Sequence, residues 1–79
     1  MKKIIGLILA LAITLSAAVN INTASSQKLQ ELPGIGEVKA ERIVEYREQN
    51  GPFTSASQLT EVNGIGQGTL KKIKGQLEF

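Results

Sequence analysis

Two glycine-rich triplets contain the residues of this sequence that are best suited to bind a ligand. Gly-Ile-Gly occurs at residues 34–36 and again, thirty positions later, at residues 64–66. Each triplet lies between two short segments of apolar periodicity, which predicts two helices joined by a tight turn whose glycines adopt positive φ. The start of the second helix then presents unpaired backbone N–H groups and the positive end of the helix dipole. Because glycine lets a large anion approach the backbone, this concavity suits a phosphate group.

The similarity between the two segments extends beyond the glycines. At the same spacing of thirty, five further pairs match: Ser25 with Ser55, Leu29 with Leu59, Glu31 with Glu61, Ile43 with Ile73, and Glu48 with Glu78. A fixed period with matching apolar positions indicates a duplicated supersecondary unit. Since one such unit cannot bury its own apolar face, the two copies are expected to pack together as one small domain.

The apolar spacing predicts four short helices around these turns. We place them at about residues 26–32, 37–49, 56–62 and 67–77. Ser25 and Ser55 are the predicted N-caps of the first and third helices. Pro33 and Gly51 are the predicted stop signals of the first two helices. No run of alternating β-branched residues predicts a strand, so the expected fold class is all-α, with residues 19–22 as an extended lead-in.

The second and fourth helices have distinct faces, since residues three or four apart share one side of a helix. Their inward stripes are Ala40, Ile43 and Val44, and Leu70, Ile73 and Leu77. Basic side chains lie outside these stripes, at Lys39, Arg42, Lys71, Lys72 and Lys74. Glutamates form a separate stripe on the second helix, at positions 37, 41, 45 and 48. We expect Ile35, Ile65 and Phe53 to fill the core.

Several segments of this sequence resemble a known family. Residues 19–25 (VNINTAS), 32–36 (LPGIG) and 46–53 (YREQNGPF) resemble the ComEA-like competence proteins, and both Gly-Ile-Gly turns resemble those of the helix-hairpin-helix motif. The resemblance covers residues 19–79. It implies a tandem helix-hairpin-helix domain in an exported protein that binds incoming duplex DNA, with the two hairpins holding phosphates of both strands across the minor groove. Because such contacts go to the DNA backbone, binding is expected to be independent of sequence.

The resemblance and the turn geometry together define a predicted DNA-binding set in the two hairpins and the helix starts that follow them. Its members are Gly34, Ile35, Gly36, Val38, Lys39, Arg42, Gly64, Ile65, Gly66, Gly68, Thr69, Lys71 and Lys72. Many family hairpins carry a basic residue two positions after the second glycine, where this sequence has Val38 and Gly68. Glu37 also repels phosphate. We therefore expect the first hairpin to bind weakly and Lys71 and Lys72 to contribute more.

The first eighteen residues have the order of a secretory signal peptide. Lys2 and Lys3 precede an apolar run at residues 4–15, and residues 16–18 (Ser-Ala-Ala) provide the small side chains of a cleavage site. The apolar run is shorter than the roughly 20 residues that a spanning helix needs, which favours cleavage after Ala18 over a retained membrane anchor. We predict a signal peptide at residues 1–18 and a domain at residues 19–79 that is periplasmic or secreted from a bacterium, with no stable membrane anchor after cleavage.

The net charge of the chain depends on that cleavage. The whole sequence has nine basic and seven acidic residues, for a net charge of +2, and two of the basic residues are Lys2 and Lys3. Residues 19–79 therefore have seven of each kind and are formally neutral. Global charge gives no argument for a nucleic-acid partner, so the argument rests on where the charges lie. Without cysteine, so short a domain must derive its stability from packing the two repeats together.

The sequence lacks the residue types that usually carry catalysis or bind a metal. It has no histidine, no cysteine and one tyrosine, and four of its glutamates follow one helix stripe. We therefore predict no enzyme activity and no cofactor. The predicted partner is double-stranded DNA, bound through its phosphates, and the resemblance implies proteins of the DNA-uptake machinery as further partners. The alternative is a structural adaptor that docks on protein with the same fold and does not bind DNA.

Overall fold

The computed structural model describes residues 18–79, so the predicted signal peptide lies outside the described residues except for Ala18. In chain order the elements are β1 (Val19–Asn20), α1 (Ser26–Leu29), α2 (Glu37–Asn50), a 3₁₀ helix (Ala56–Glu61), α3 (Gln67–Ile73), a second 3₁₀ helix (Lys74–Gln76) and β2 (Leu77–Glu78). One glycine turn joins α1 to α2, and the other joins the first 3₁₀ helix to α3. The predicted tandem helix-hairpin-helix class is confirmed, with two very short strands added.

α1 begins where the sequence predicts and ends earlier. The Ser25 hydroxyl accepts a hydrogen bond from the Lys28 N–H at 3.1 Å, which confirms Ser25 as the N-cap. Regular α-helix ends at Leu29 instead of residue 32. The chain continues in turns, with the Leu32 N–H bonded to the Leu29 carbonyl at 3.1 Å. Pro33 contributes to this early end, because a proline disfavours helical backbone in the residue before it.

α2 is the longest element, and it matches its prediction to within one residue. Gly51 follows it with φ of 88° and donates its N–H to the Arg47 carbonyl at 3.0 Å. Glycine adopts this backbone without a Cβ clash, which explains why the helix ends there. Ala40 and Ile43 are buried as predicted, and Val44 is half-buried beside them.

The segment after α2 departs from its prediction. Residues 56–61 form a 3₁₀ helix where an α-helix is predicted. Ser55 lies at the predicted N-cap position, but its side chain makes no capping hydrogen bond. Instead, the Gln58 side-chain oxygen accepts a hydrogen bond from the Thr54 N–H at 2.8 Å. This hydrogen bond stabilises the start of the 3₁₀ helix, because a side chain within the helix accepts from a backbone N–H that precedes it.

The last predicted helix is also shorter than expected. α3 ends at Ile73, and the chain passes into a 3₁₀ turn that contains Gly75. A glycine costs about 1 kcal/mol relative to alanine in a helix interior, which favours this early end. Leu77, predicted as an inward helical residue, lies in β2 and is half-buried.

A single apolar core joins the two repeats. It includes the matched pairs Leu29 with Leu59 and Ile43 with Ile73, all 0% exposed. Phe53 lies in this core at 2% exposure, as predicted from the sequence, and its ring stacks on Tyr46 with centroids 5.0 Å apart. Among residues 18–79 no buried side chain is polar or charged, so the core itself consists of apolar side chains.

The two strands connect the ends of the described chain. β1 and β2 are parallel, with Val19 opposite Leu77 and Asn20 opposite Glu78. The Ile21 N–H extends the ladder by bonding to the Glu78 carbonyl at 2.9 Å. The predicted extended lead-in is confirmed at Val19 and Asn20, whereas residues 21–23 form a turn, and the sequence does not predict the strand partner of β1. None of the helices between residues 18 and 79 has the length and apolar character needed to cross a lipid bilayer.

Candidate functional site

The two glycine turns have the same backbone geometry. In the first, the Ile35 N–H bonds to the Leu32 carbonyl at 3.1 Å, and in the second the Ile65 N–H bonds to the Val62 carbonyl at 3.0 Å. The third residue of each turn is a glycine with positive φ, 82° at Gly34 and 97° at Gly64. A bond from the fourth residue to the first, with positive φ at the third, is typical of a type II turn. The first glycine of each triplet is therefore required by the backbone.

The second glycine of each triplet has a different role. Gly36 has φ of −89° and ψ of −170°, and Gly66 has −102° and −175°, so both are extended N-caps. The expectation of positive φ at these two positions is wrong. A methyl group built on either would meet nothing within 4 Å. These glycines thus leave open space in front of α2 and α3.

The starts of α2 and α3 carry no side-chain cap. The first helical bonds run from the Ala40 N–H to the Gly36 carbonyl at 2.9 Å and from the Leu70 N–H to the Gly66 carbonyl at 3.0 Å. The three N–H groups before each of these bonds have no partner within their helix. Together with the helix dipole, they form a partly positive surface that can accept an anion.

Two members of the predicted DNA-binding set have their side chains in the core. Ile35 is 3% exposed and Ile65 is 4% exposed. Their side chains fix the turns from inside, so any contact with a ligand is restricted to their backbone. This agrees with their predicted role in filling the core.

Each turn packs against the opposite repeat. A methyl group built on Gly34 would lie 3.6 Å from Thr69 Cγ2, and one built on Gly64 would lie 3.8 Å from Lys39 Cγ and Cε. Lys39 and Thr69 are separated by the repeat length of thirty, so the two contacts are equivalent. The same methyl on Gly64 would lie only 3.1 Å from Arg42 Nη1. These contacts bring the two hairpins and the two helix starts together.

Lys39 and Arg42 donate hydrogen bonds to the turns themselves. Lys39 Nζ donates to the Gly34 carbonyl at 3.3 Å, and Arg42 Nη1 donates to the Asn63 carbonyl at 3.2 Å. Both side chains belong to the predicted DNA-binding set, but the sequence does not predict these bonds. The repeat spacing aligns the two turns, but it does not show which side chain reaches across.

Basic residues are concentrated near the second hairpin. Lys71 and Lys72 are exposed on α3, and Gly68 leaves the helix start before them bare. The first hairpin instead has exposed Glu37 and Val38, the latter 57% exposed. Between residues 18 and 79 the one ion pair is Lys28 with Glu31, so these lysines are not neutralised by a neighbouring carboxylate. The second hairpin is therefore the more favourable of the two for an anion.

One ionisable group on α2 is perturbed. The Tyr46 hydroxyl donates to Glu61 Oε1 at 2.6 Å, and this hydrogen bond raises the pKa of Tyr46 above its ordinary value, with a further contribution from burial. The bond connects α2 to the end of the first 3₁₀ helix, so it helps to hold the two repeats together. Among the described residues, no group of three or more His, Cys, Asp or Glu side chains could hold a metal ion.

Two glycine turns in tandem, each leading into a helix without a side-chain cap, define the tandem helix-hairpin-helix class of proteins. The family described as "Helix-hairpin-helix motif" matches residues 16–78, and the chain belongs to this family. The assignment to the tandem helix-hairpin-helix class therefore rests on both the family match and the geometry of the two glycine turns.

Two bacterial proteins are similar in sequence to this chain. It is 48% identical over 61 residues to ComE operon protein 1 of Bacillus subtilis, a match that covers 77% of this chain and 30% of that protein. It is 51% identical over 65 residues to an uncharacterized protein of Haemophilus influenzae, covering 81% of this chain and 58% of that protein. The first of these matches confirms the resemblance to the ComEA-like proteins.

A third similarity is to a human protein named Endonuclease/exonuclease/phosphatase family domain-containing protein 1. The identity is 39% over 69 residues, which is 87% of this chain and 12% of that protein. In all three cases the chain spans less than two thirds of the relative's length. The similarity therefore concerns one domain of each relative.

Proposed function

We propose that this protein binds double-stranded DNA through its backbone phosphates, without sequence preference, in a competence-related role. The observation that carries the proposal is the pairing of two equivalent, uncapped helix starts, each opened by an N-cap glycine. One such start suits one phosphate, and two related by the internal repeat suit phosphates on two strands.

The proposed interface comprises the two hairpins and the first turns of α2 and α3. Its backbone groups come from Gly34, Ile35, Gly36, Gly64, Ile65, Gly66 and Gly68, and its side chains from Val38, Lys39, Thr69, Lys71 and Lys72. Arg42, predicted from the sequence to belong to the same set, lies at this interface with its guanidinium bonded to the second turn. Lys71 and Lys72 supply the unneutralised positive charge, whereas Glu37 weakens the first hairpin. Since residues 19–79 are formally neutral, the proposed affinity is weak and depends on this local concentration of charge.

The competence-related part of the proposal is supported by the match to ComE operon protein 1. We propose that the chain is exported, acts in DNA uptake in the periplasm or at the cell surface, and contacts proteins of the uptake machinery. Export is supported by the signal-like first eighteen residues. Ala18 is exposed while Val19 is 2% exposed and begins β1, so cleavage between them would release the domain intact. The intact mass of the exported protein tests this site.

We further propose that the protein binds DNA and does not catalyse a reaction on it. The human relative that carries an enzyme-family name shares 12% of its own length with this chain, which gives no reason to transfer its chemistry. The alternative function is a structural adaptor that docks on protein. The formal neutrality of residues 19–79 favours this alternative.

Fluorescence anisotropy with labelled duplexes tests the proposal. We expect similar affinities for two duplexes of unrelated sequence and equal length, together with loss of binding as salt is raised. Failure to bind either duplex at low salt would overturn the DNA-binding proposal and favour the adaptor. A strong preference for one duplex would contradict a mechanism based on phosphate contacts.

A further inference from the structure

The internal repeat is broken at one contact that joins the two hairpins. Arg42 lies on α2 of the first repeat, and its Nη1 donates to the carbonyl of Asn63 in the turn of the second repeat at 3.2 Å. At the repeat spacing of thirty, Lys72 is the equivalent of Arg42 and Pro33 is the equivalent of Asn63. Within the described chain, the Lys72 ammonium donates no hydrogen bond, to Pro33 or to any other residue. The first repeat thus holds the second hairpin through a polar contact that has no counterpart.

Packing around Gly64 reinforces this contact. A methyl group built on Gly64 would lie 3.1 Å from Arg42 Nη1, so the guanidinium rests directly against the turn. Lys39 contacts the same turn with its aliphatic carbons while its ammonium donates to the Gly34 carbonyl at 3.3 Å. α2 therefore contacts both turns at once, and Arg42 makes the hydrogen bond to the second turn.

We propose that Arg42 is a positioning residue that fixes the second hairpin relative to α2, and that the resulting spacing of the two phosphate sites selects duplex over single-stranded DNA. The inference rests on the proposed function. Two weak sites reinforce each other only when their separation matches that of their targets and is held there. A duplex presents two strands at a fixed separation, whereas a flexible single strand has no fixed separation for the spacing of the hairpins to match.

The alternative for Arg42 is that it binds a phosphate directly, as sequence reasoning predicts. The two roles differ in the salt dependence of binding, because each cation that neutralises a phosphate contributes about 0.9 to the slope of log K against log salt. A positioning residue changes affinity and leaves the slope unchanged. Lys72 is the matched control, since it is exposed, occupies the equivalent position and lacks the cross-repeat bond.

The experiment compares Arg42→Ala and Lys72→Ala with the parent, using one duplex and one of its strands over a range of salt. For Arg42→Ala we expect duplex affinity to fall about five- to tenfold, because the second hairpin is no longer held at the spacing that suits two phosphates. Its single-strand affinity and salt slope should stay unchanged. Lys72→Ala should weaken binding to both the duplex and the single strand. It should also make the slope of log K against log salt shallower by about 0.9. If Arg42→Ala also makes the slope shallower by this amount, or leaves duplex affinity unchanged, the proposal is wrong.

A second measurement does not depend on DNA. Amide hydrogen exchange at Ile65 reports on the second turn, and exchange at Ile35 reports on the first, since each N–H closes its own turn. Arg42→Ala should speed exchange at Ile65 and not at Ile35, whereas Lys72→Ala should change neither. Unchanged exchange at Ile65 in Arg42→Ala would overturn the positioning role. If the parent binds no duplex, the proposed function fails, and faster exchange at Ile65 would still support positioning of the hairpin.

Discussion

The side-chain amide of Asn22 pairs with both backbone polar groups of Phe53. Its Oδ1 accepts from the Phe53 N–H at 2.7 Å, and its Nδ2 donates to the Phe53 carbonyl at 3.0 Å. This pair joins the lead-in after β1 to the connection between the two repeats. It fixes the backbone that places the Phe53 ring in the core, where a well-packed aromatic contributes strongly to stability.

Replacing Asn22 with alanine should therefore destabilise the domain. The change removes two hydrogen bonds and leaves partly buried backbone groups without partners, at a cost of about 1–3 kcal/mol. In a domain of this size each 1 kcal/mol lowers Tm by roughly 4–8 °C. Thermal unfolding followed by circular dichroism measures the effect. Asn50→Ala is the control, because Asn50 is exposed and bonds only locally, to the Tyr46 carbonyl at 3.1 Å. Equal Tm values for the two variants would contradict the role of Asn22.

The two glycines of the second triplet should differ in their tolerance of alanine. Gly64 has φ of 97°, and its Cβ would lie 3.1 Å from Arg42 Nη1, whereas Gly66 has φ of −102° and open space. A left-handed backbone costs a side-chain-bearing residue about 1–2 kcal/mol. Gly64→Ala should lose at least this much stability, while Gly66→Ala should stay within about 0.5 kcal/mol of the parent. Denaturant unfolding measures both, and the reverse order would show that the turn geometry is wrong.

The tolerance of Gly66 makes it a sharp probe of the proposed phosphate site. Gly66→Val should fold, since its backbone is allowed for a β-branched residue, but its methyls should obstruct the approach to the start of α3. We expect Gly66→Val to weaken duplex binding more than Lys74→Ala, with Lys71→Ala between them. Lys74 is exposed on the turn after α3, and it should contribute less than about fivefold to the affinity for duplex DNA.

Anisotropy with duplex DNA measures this series, after circular dichroism has confirmed that helicity is retained. A triple Lys71→Ala, Lys72→Ala and Lys74→Ala variant provides the comparison. Should folded Gly66→Val bind like the parent while the triple variant does not bind, the hairpin is only a turn. The binding would then belong to the lysines of α3 and the residue after it.

The salt dependence of duplex binding should be steep for so small a domain. If roughly four to six phosphates are neutralised, the slope of log K against log salt should lie near −4 to −5. Anisotropy titrations at several salt concentrations measure the slope. A flat response would contradict binding through phosphates, whatever the affinity at one salt concentration.

The contact between Tyr46 and Glu61 should make stability fall at alkaline pH. Because the pKa of Tyr46 is raised by its hydrogen bond to Glu61, the folded state favours the protonated phenol. The stabilisation is fully present below the ordinary tyrosine pKa and is lost as pH rises through the higher folded value. Phenolate absorbance follows the titration without ambiguity, since the chain has one tyrosine. Glu61→Gln should return the pKa toward its ordinary value, and an unchanged titration in that variant would refute the assignment.

Local patterns of the sequence were sufficient for much of this fold. The spacing of thirty placed both turns, and the apolar period placed α2 to within one residue. Ser25 was identified as an N-cap, and Ile35 and Ile65 as core residues, because these roles depend on near neighbours and on burial of an apolar face. Signals of this kind lie within a few residues of the feature that they determine.

Other features were decided only by contacts between distant residues. Glycine is allowed in most backbone regions, so its identity could not show that Gly34 and Gly64 have positive φ while Gly36 and Gly66 do not. The pairing of Val19 with Leu77 joins the two ends of the domain, and no local period encodes it. The bond from Arg42 to the Asn63 carbonyl spans 21 residues and breaks the internal repeat, so the same sequence spacing that revealed the duplication hid this contact. A repeat predicts what its two copies share, whereas packing between the copies determines how they differ.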